Sequence, residues 1–265
     1  MYKEITSIKN PLVKEILQLQ EKSRVRKKLG LCIVEGKREI TLAQQANYKI
    51  ETLLYFGGIF DEYLLDVFNI ENQNIIKVSK EVYQKIAFRD TTEGVIAIIK
   101  TKALLLDKIS FGNKNPLILI AEAPEKPGNI GALLRTADAA NLDAVIIANP
   151  KTDMYNPNII RSSVGCVFTN QIAIGSSMEI IEFLKENNIH IYCASLQGSV
   201  DYHSQNFTET TAIVVGTEST GLSDEWLHNS KRNISIPMQG QIDSLNVSVA
   251  AAVLIFEAKR QRNFK

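Results

Sequence analysis

Three short stretches carry polar residues placed to hold a ligand, and each follows an apolar run of strand length. Asn129, Gly131 and Arg135 follow the run at 117–121, and Glu218 stands between Gly216 and Gly221 after the run at 212–216. Ser244, Leu245 and Asn246 follow the run at 234–237 and precede a long apolar segment. The chemistry these residues allow is recognition by backbone and polar side chains. Gly216 permits a close backbone approach and Gly221 a positive φ, while residues 244–246 stand at the entry to a helix, where unpaired N–H groups and the dipole favour a ligand. Each also has a plainer reading: Asn129 as the N-cap of its helix, Arg135 as a surface charge, Glu218 as a loop carboxylate.

Metal and disulfide chemistry have less support. Cys32, Cys166 and Cys193 are odd in number and scattered, as are His190, His203 and His228, with no ligand-type spacing. A dinucleotide site is weakly supported too, because G-N-I-G is not G-x-G-x-x-G and Ala148-Asn149-Pro150 stand where an acidic residue should end the second strand.

The elements that must position these residues read as a parallel α/β sheet. From Pro116 onward, strands at 117–121, 144–148, 189–194, 212–216 and 234–237 alternate with helices at 130–141, 158–164, 177–187, 224–229 and 245–262. In such sheets ligands bind beyond the carboxyl ends of the strands, where all three stretches lie. Ile130, Leu133, Leu134 and Ala137 form the sheet-facing side of the first of these helices, with Arg135 roughly opposite. Residues 247–256 are apolar almost all round, which predicts a last helix buried on every side; a stretch of ten residues is too short to cross a bilayer. A compact α/β unit precedes the sheet, and the Gly112-Asn113 region places a boundary near residue 105.

The 265 residues, 45% of them hydrophobic, can bury a sizeable core, and with no apolar leader the expected location is cytoplasmic. The net charge of +1 hides an asymmetry. Residues 1–40 hold ten Lys or Arg against five Glu, a net +5, so the other 225 carry −4. The excess centres on Lys22, Arg24, Arg26, Lys27 and Lys28, either a solvated helix end or a phosphate-contacting surface.

Taken together, the three stretches resemble the motifs of the SpoU/TrmH family of RNA 2′-O-ribose methyltransferases, in the SPOUT superfamily. Asn129, Gly131, Arg135 and Ala137 match the first motif, Gly216, Glu218, Gly221 and Leu222 the second, and the stretch from Ile236 through Ser248 the third. Thr217 departs from the usual Asn. More loosely, residues 6–11, the basic segment, Val34-Glu35-Gly36 and Thr92 through Val95 resemble an L30e-like substrate-binding domain. The resemblance implies residues 1–105 as that domain and 106–265 as a methyltransferase domain with a C-terminal trefoil knot. It further implies a homodimer that needs no metal, and S-adenosyl-L-methionine held by Leu196, Gly216, Glu218, Ile236, Met238, Ser244, Leu245 and Asn246. Arg135 falls at the catalytic arginine. A guanidinium is a permanent cation in proteins and a poor base, so its expected role is to clamp a phosphate and stabilise the developing alkoxide. Asn129, Glu218, Ser244 and Asn246 are expected to orient ribose and cofactor, and Lys22, Arg24, Arg26, Lys27, Lys28, Arg38 and Arg135 to contact RNA. Ribosomal RNA is the favoured substrate, with transfer RNA the alternative. An inactive RNA-binding module and a nucleotide-dependent oxidoreductase are the readings from other classes.

Overall fold

The computed structural model describes residues 2–89, 93–217 and 220–264. Its contacts divide the chain into two compact units, Met1–Ala103 with Asp153–Thr169, and Leu104–Thr152 with Asn170–Lys265. The boundary expected near residue 105 instead assigns all of 153–169 to the later domain.

The first unit runs β1 (Lys3–Ile5), α1 (Pro11–Glu21), α2 (Ser23–Leu29), β2 (Leu31–Glu35), α3 (Lys37–Gln45), β3 (Ile50–Tyr55), β4 (Ile75–Val78), α4 (Lys80–Ile86) and β5 (Val95–Lys100). The strands lie in the order β1-β4-β3-β5-β2; β5 is antiparallel to both neighbours and the other pairs are parallel. α1 forms because Pro11 fixes the first turn and Asn10 accepts from Leu12 N, and its apolar spacing buries Val13, Ile16 and Leu19 against the sheet. Sequence pattern missed β1 and α2, each too short to show a period.

The second unit begins with β6 (Leu117–Glu122), α5 (Pro127–Ala139) and β7 (Ala144–Ala148). Next come α6 (Pro157–Ser162) and α7 (Cys166–Thr169), which belong to the first unit. The second unit resumes with β8 (Ile172–Gly175), α8 (Ser177–Glu186), β9 (His190–Ala194), β10 (Val200–Asp201), β11 (Thr211–Val215), α9 (Asp224–Asn229), β12 (Arg232–Ser235) and α10 (Val247–Gln261). The seven strands are parallel, in the order β10-β12-β9-β11-β6-β7-β8. Every residue of β6, β7 and β11 is buried, as expected when helices cover both faces.

Within the first unit, α7 lies so close to α3 that a Cβ on Gly165 would come within 2.9 Å of Leu42 Cδ1. Gly165 has φ +84°, and Val164 beside it has φ 54°, a left-handed conformation that a β-branched residue rarely adopts.

Two expectations about helices need correction. α5 starts at Pro127 with Lys126 as N-cap, so Asn129 lies inside the first turn and does not cap it; Pro127 at the first position pre-sets the helical φ two residues earlier. α10 starts at Val247 with Asn246 as N-cap, and it is not buried on every side. Ala251, Leu254, Ile255 and Ala258 are buried against α5 and β11, whereas Val249 is 48% and Phe256 42% exposed. An all-round apolar helix therefore presents an apolar outer face to solvent in the single chain.

Candidate active site

The carboxyl ends of β9, β11 and β12 open onto a cavity of about 900 Å³, within the range that small-molecule sites occupy. Leu196, Gly216, Ile236, Met238, Ser244, Leu245 and Asn246, seven of the eight residues expected at the cofactor, line it. The eighth, Glu218, lies outside the described residues. Leu196, Met238 and Leu245 supply exposed apolar wall, and backbone turns and Ser244 supply polar groups.

Gly216 is required by the loop itself. A Cβ there would stand 2.3 Å from the carbonyl carbon and oxygen of Gly221, because Thr217 and Gly221 exchange backbone hydrogen bonds of 3.1 and 3.2 Å across the turn. The close approach predicted at Gly216 is thus to its own chain. Gly221 has the expected positive φ, +68°.

Two carboxylates not singled out in the sequence, Asp224 and Asp243, also line the cavity. Ser244 Oγ donates to Asp243 Oδ1 at 3.2 Å. Negative charge beside an apolar wall fits a ligand that pairs an adenine ring with sulfonium and ammonium groups. Pattern alone had no means to select them, since acidic residues at a helix start and in a polar loop are common.

Asn246 connects the cavity to α5. Its Oδ1 accepts from Ser248 N and Oγ, and its Nδ2 donates to Asn129 Oδ1 at 3.3 Å. The structure therefore brings Asn129, Ser244 and Asn246 to one place. Arg135, two turns further along α5, is exposed on the side away from buried Ile130, Leu133, Leu134 and Ala137.

A carboxylate with no motif to mark it in the sequence is buried in the same unit. Glu122, the last residue of β6, is 6% exposed and accepts from Ser223 N (2.8 Å), Ser223 Oγ (2.7 Å) and Ser177 Oγ (3.1 Å). Ser177 Oγ accepts in turn from Trp226 Nε1 at 2.8 Å and Asn149 Nδ2 at 2.9 Å. Burial, and then the charge of Glu122, push the Cys193 thiol up to about 12, so this cysteine is no nucleophile.

Of the expected RNA contacts in the first unit, Lys22, Arg24, Lys27, Lys28 and Arg38 are exposed. Arg26 is not. It is 3% exposed, pairs with Asp153 Oδ2 at 2.5 Å, and donates to the carbonyls of Leu19 and Gln20. A guanidinium occupied in this way cannot also reach a phosphate, so Arg26 is removed from the RNA-contacting set. Among the described residues no group of three His, Cys, Asp or Glu is arranged to hold a metal, and no helix is long and apolar enough to cross a membrane.

Residues 116–256, more than half of the chain, match the model of the SpoU rRNA Methylase family. The chain belongs to that family. Residues 10–97 match the MRM3-like substrate binding domain. The chain is 28% identical over 263 residues to the 23S rRNA (guanosine(2553)-2′-O)-methyltransferase RlmP of Bacillus subtilis (strain 168), covering 97% of this chain and 99% of that protein. It superimposes on the crystal structure of an RNA 2′-O ribose methyltransferase with TM-score 0.85 and 37% identity, over 98% of this chain and 99% of the other. It also superimposes on the AdoMet-bound rRNA methyltransferase of Sinorhizobium meliloti with TM-score 0.89 and 28% identity, over 98% of each chain. This SpoU methylase is an RNA 2′-O-methyltransferase that uses S-adenosylmethionine. The cavity is consistent with that cofactor in size, in its apolar wall and in its two carboxylates.

Proposed function

We propose that this SpoU methylase methylates a ribose 2′-hydroxyl of 23S-type ribosomal RNA in the cytoplasm. What supports the reading most directly is the junction of Asn246 with Asn129 at the rim of the cavity, because it sets the helix that carries Arg135 beside the cofactor-lining loop. S-adenosylmethionine supplies a methyl group on a positively charged sulfur. The protein's task is to hold the 2′-oxygen in line with that methyl, and ideal alignment of two reactants is worth about 7–11 kcal/mol. Arg135, exposed and on the outer side of α5, clamps the phosphate next to the reacting ribose and offsets negative charge growing on the oxygen. Asn129, Ser244 and Asn246 orient the ribose and the cofactor.

In this reading residues 104–265, apart from the excursion at 153–169, form the catalytic domain, with its C-terminal segment threaded as a trefoil knot. The first unit is an L30e-like RNA-binding domain that contacts phosphates through Lys22, Arg24, Lys27, Lys28 and Arg38. The enzyme acts as a homodimer in which the outer face of α10, with Val249 and Phe256, is covered by a second copy; an exposed apolar face of this kind is a usual mark of association.

Transfer of labelled methyl to unmodified ribosomal RNA, to assembling large-subunit particles and to transfer RNA tests the proposal. Label at a 2′-oxygen of 23S RNA, reduced by about 10²–10³ in Arg135→Ala, is the expected result. Label on transfer RNA alone would overturn the substrate assignment.

A further inference from the structure

Glu122 does not itself line the cavity, yet it is a buried carboxylate within the same unit. Its partners define what the position requires. Ser177 Oγ accepts from both Trp226 Nε1 and Asn149 Nδ2, so its single proton is left to point at Glu122 Oε1. Ser223 directs its hydroxyl to the same oxygen and its backbone N–H to Oε2. Three donors converge on its two oxygens, and an acceptor-only carboxylate satisfies all of them.

The places joined are the carboxyl ends of β6 and β7 and the first turns of α8 and α9. Ser223 is flanked by Leu222 and Asp224, both of which line the cavity, and α9 adds Leu227 one turn later. With no side-chain cap bond to its own helix, Ser223 is anchored outward on Glu122. The position of the loop that closes one side of the cavity is thereby set from beneath.

We infer that Glu122 is a positioning residue for S-adenosylmethionine, acting through Ser223 to fix the 220–224 wall of the cofactor cavity. This rests on the cavity being the cofactor site. An amide at 122 keeps the shape but turns one acceptor into a donor, facing either Ser223 N or the two hydroxyls. The Ser223 hydroxyl can rotate to accept from such a donor, but Ser223 N and Ser177, whose oxygen already accepts twice, cannot; one buried donor is left unmatched, and the movable partner is the loop. Trp226, the chain's single tryptophan, is in the same network and reports on it.

The test compares wild type, Glu122→Gln and Ser223→Ala by calorimetric titration with S-adenosylmethionine, methyl-transfer kinetics, RNA binding, thermal melting and Trp226 emission. Glu122→Gln is expected to weaken cofactor binding and raise KM for the cofactor about tenfold, as loss of one hydrogen bond to a charged group does. The rise in KM exceeds any fall in kcat, RNA affinity is retained, and Trp226 emission shifts. Ser223→Ala, which keeps the backbone bond to Oε2, shows the same pattern to a smaller degree and carries the test if Glu122→Gln does not fold. A folded Glu122→Gln, or Ser223→Ala in its place, that binds the cofactor as tightly as wild type overturns the inference. Wild type that binds no S-adenosylmethionine removes the cofactor assignment and the inference with it; wild type that binds it but leaves 23S RNA unmethylated removes only the substrate assignment.

Discussion

Asn246 donates to Asn129 across 3.3 Å, joining the N-cap of the last helix to the first turn of α5, 117 positions earlier in the chain. One side chain thus performs two tasks, since Asn246 Oδ1 also accepts from Ser248 N. Asn246→Ala should cost about 1 kcal/mol in chemical denaturation, the usual value of an N-cap, and lower methyl transfer by more than that loss of folded protein explains. Asn246→Asp, which keeps the cap but cannot donate to Asn129, should recover the stability and not the activity. Recovery of both would sever the link between the two asparagines and catalysis.

Arg26 and Lys27 are neighbours with opposite fates. Arg26→Ala leaves Asp153, whose side chain is 8% exposed, without its cation, and should destabilise by about 3–5 kcal/mol, as breaking a buried pair does. Lys27→Ala should change stability by less than about 0.5 kcal/mol and reduce the salt dependence of RNA binding by about one unit of slope. Urea unfolding and RNA titration at several salt concentrations check both. Equal stability losses would show that the two cations share one environment.

Burial holds the Glu39 carboxyl above the ordinary carboxylate range; its own backbone N–H opposes this and the charge of Glu93 adds to it. The folded state therefore binds this proton more tightly than the unfolded chain does. The stability contributed by protonation is fully present below the ordinary carboxylate pKa and is lost as pH rises through the elevated folded value. Glu39→Gln, whose amide oxygen can still accept from its own backbone N–H, should gain stability relative to wild type as pH rises from 4 to 8. Denaturant midpoints at the two ends of that range measure it, and a relative gain on acidification would show the sign to be wrong.

Phe256→Asp places a charge on the outer face of α10, where the ring is 42% exposed. Sedimentation should show a dimer for wild type at micromolar concentration and a monomer for the variant, which remains folded because the inner face is unchanged. A dimer that survives the substitution would move the interface elsewhere.

Much of this arrangement is legible along the chain. Five of the seven parallel strands of the second unit announce themselves as short apolar runs, whereas β8 and β10 do not, and Ser244, Leu245 and Asn246 follow the last of the five after a polar loop. What pattern could not give is burial by distant partners. Glu122 reads as an ordinary carboxylate until Ser177, 55 residues on, and Ser223, 101 residues on, close around it. Arg26 reads as one more cation in a basic run because Asp153 is 127 positions away. The apolar residues of α10 looked wholly interior because composition does not separate a face covered by its own chain from one left open to solvent.

The stretch 153–169 falls inside the family-defining residues 116–256 and yet folds with the first unit, where Ile159, Ile160, Val167 and Phe168 are buried. A rearrangement that joined a different first unit at residue 104 would leave α6 and α7 without β2 and α3, the elements they pack on. Any such module must arrive already shaped to receive this loan of sequence, including the narrow fit of Gly165 against Leu42. The two units can therefore be exchanged independently only while a socket for seventeen residues is inherited along with them.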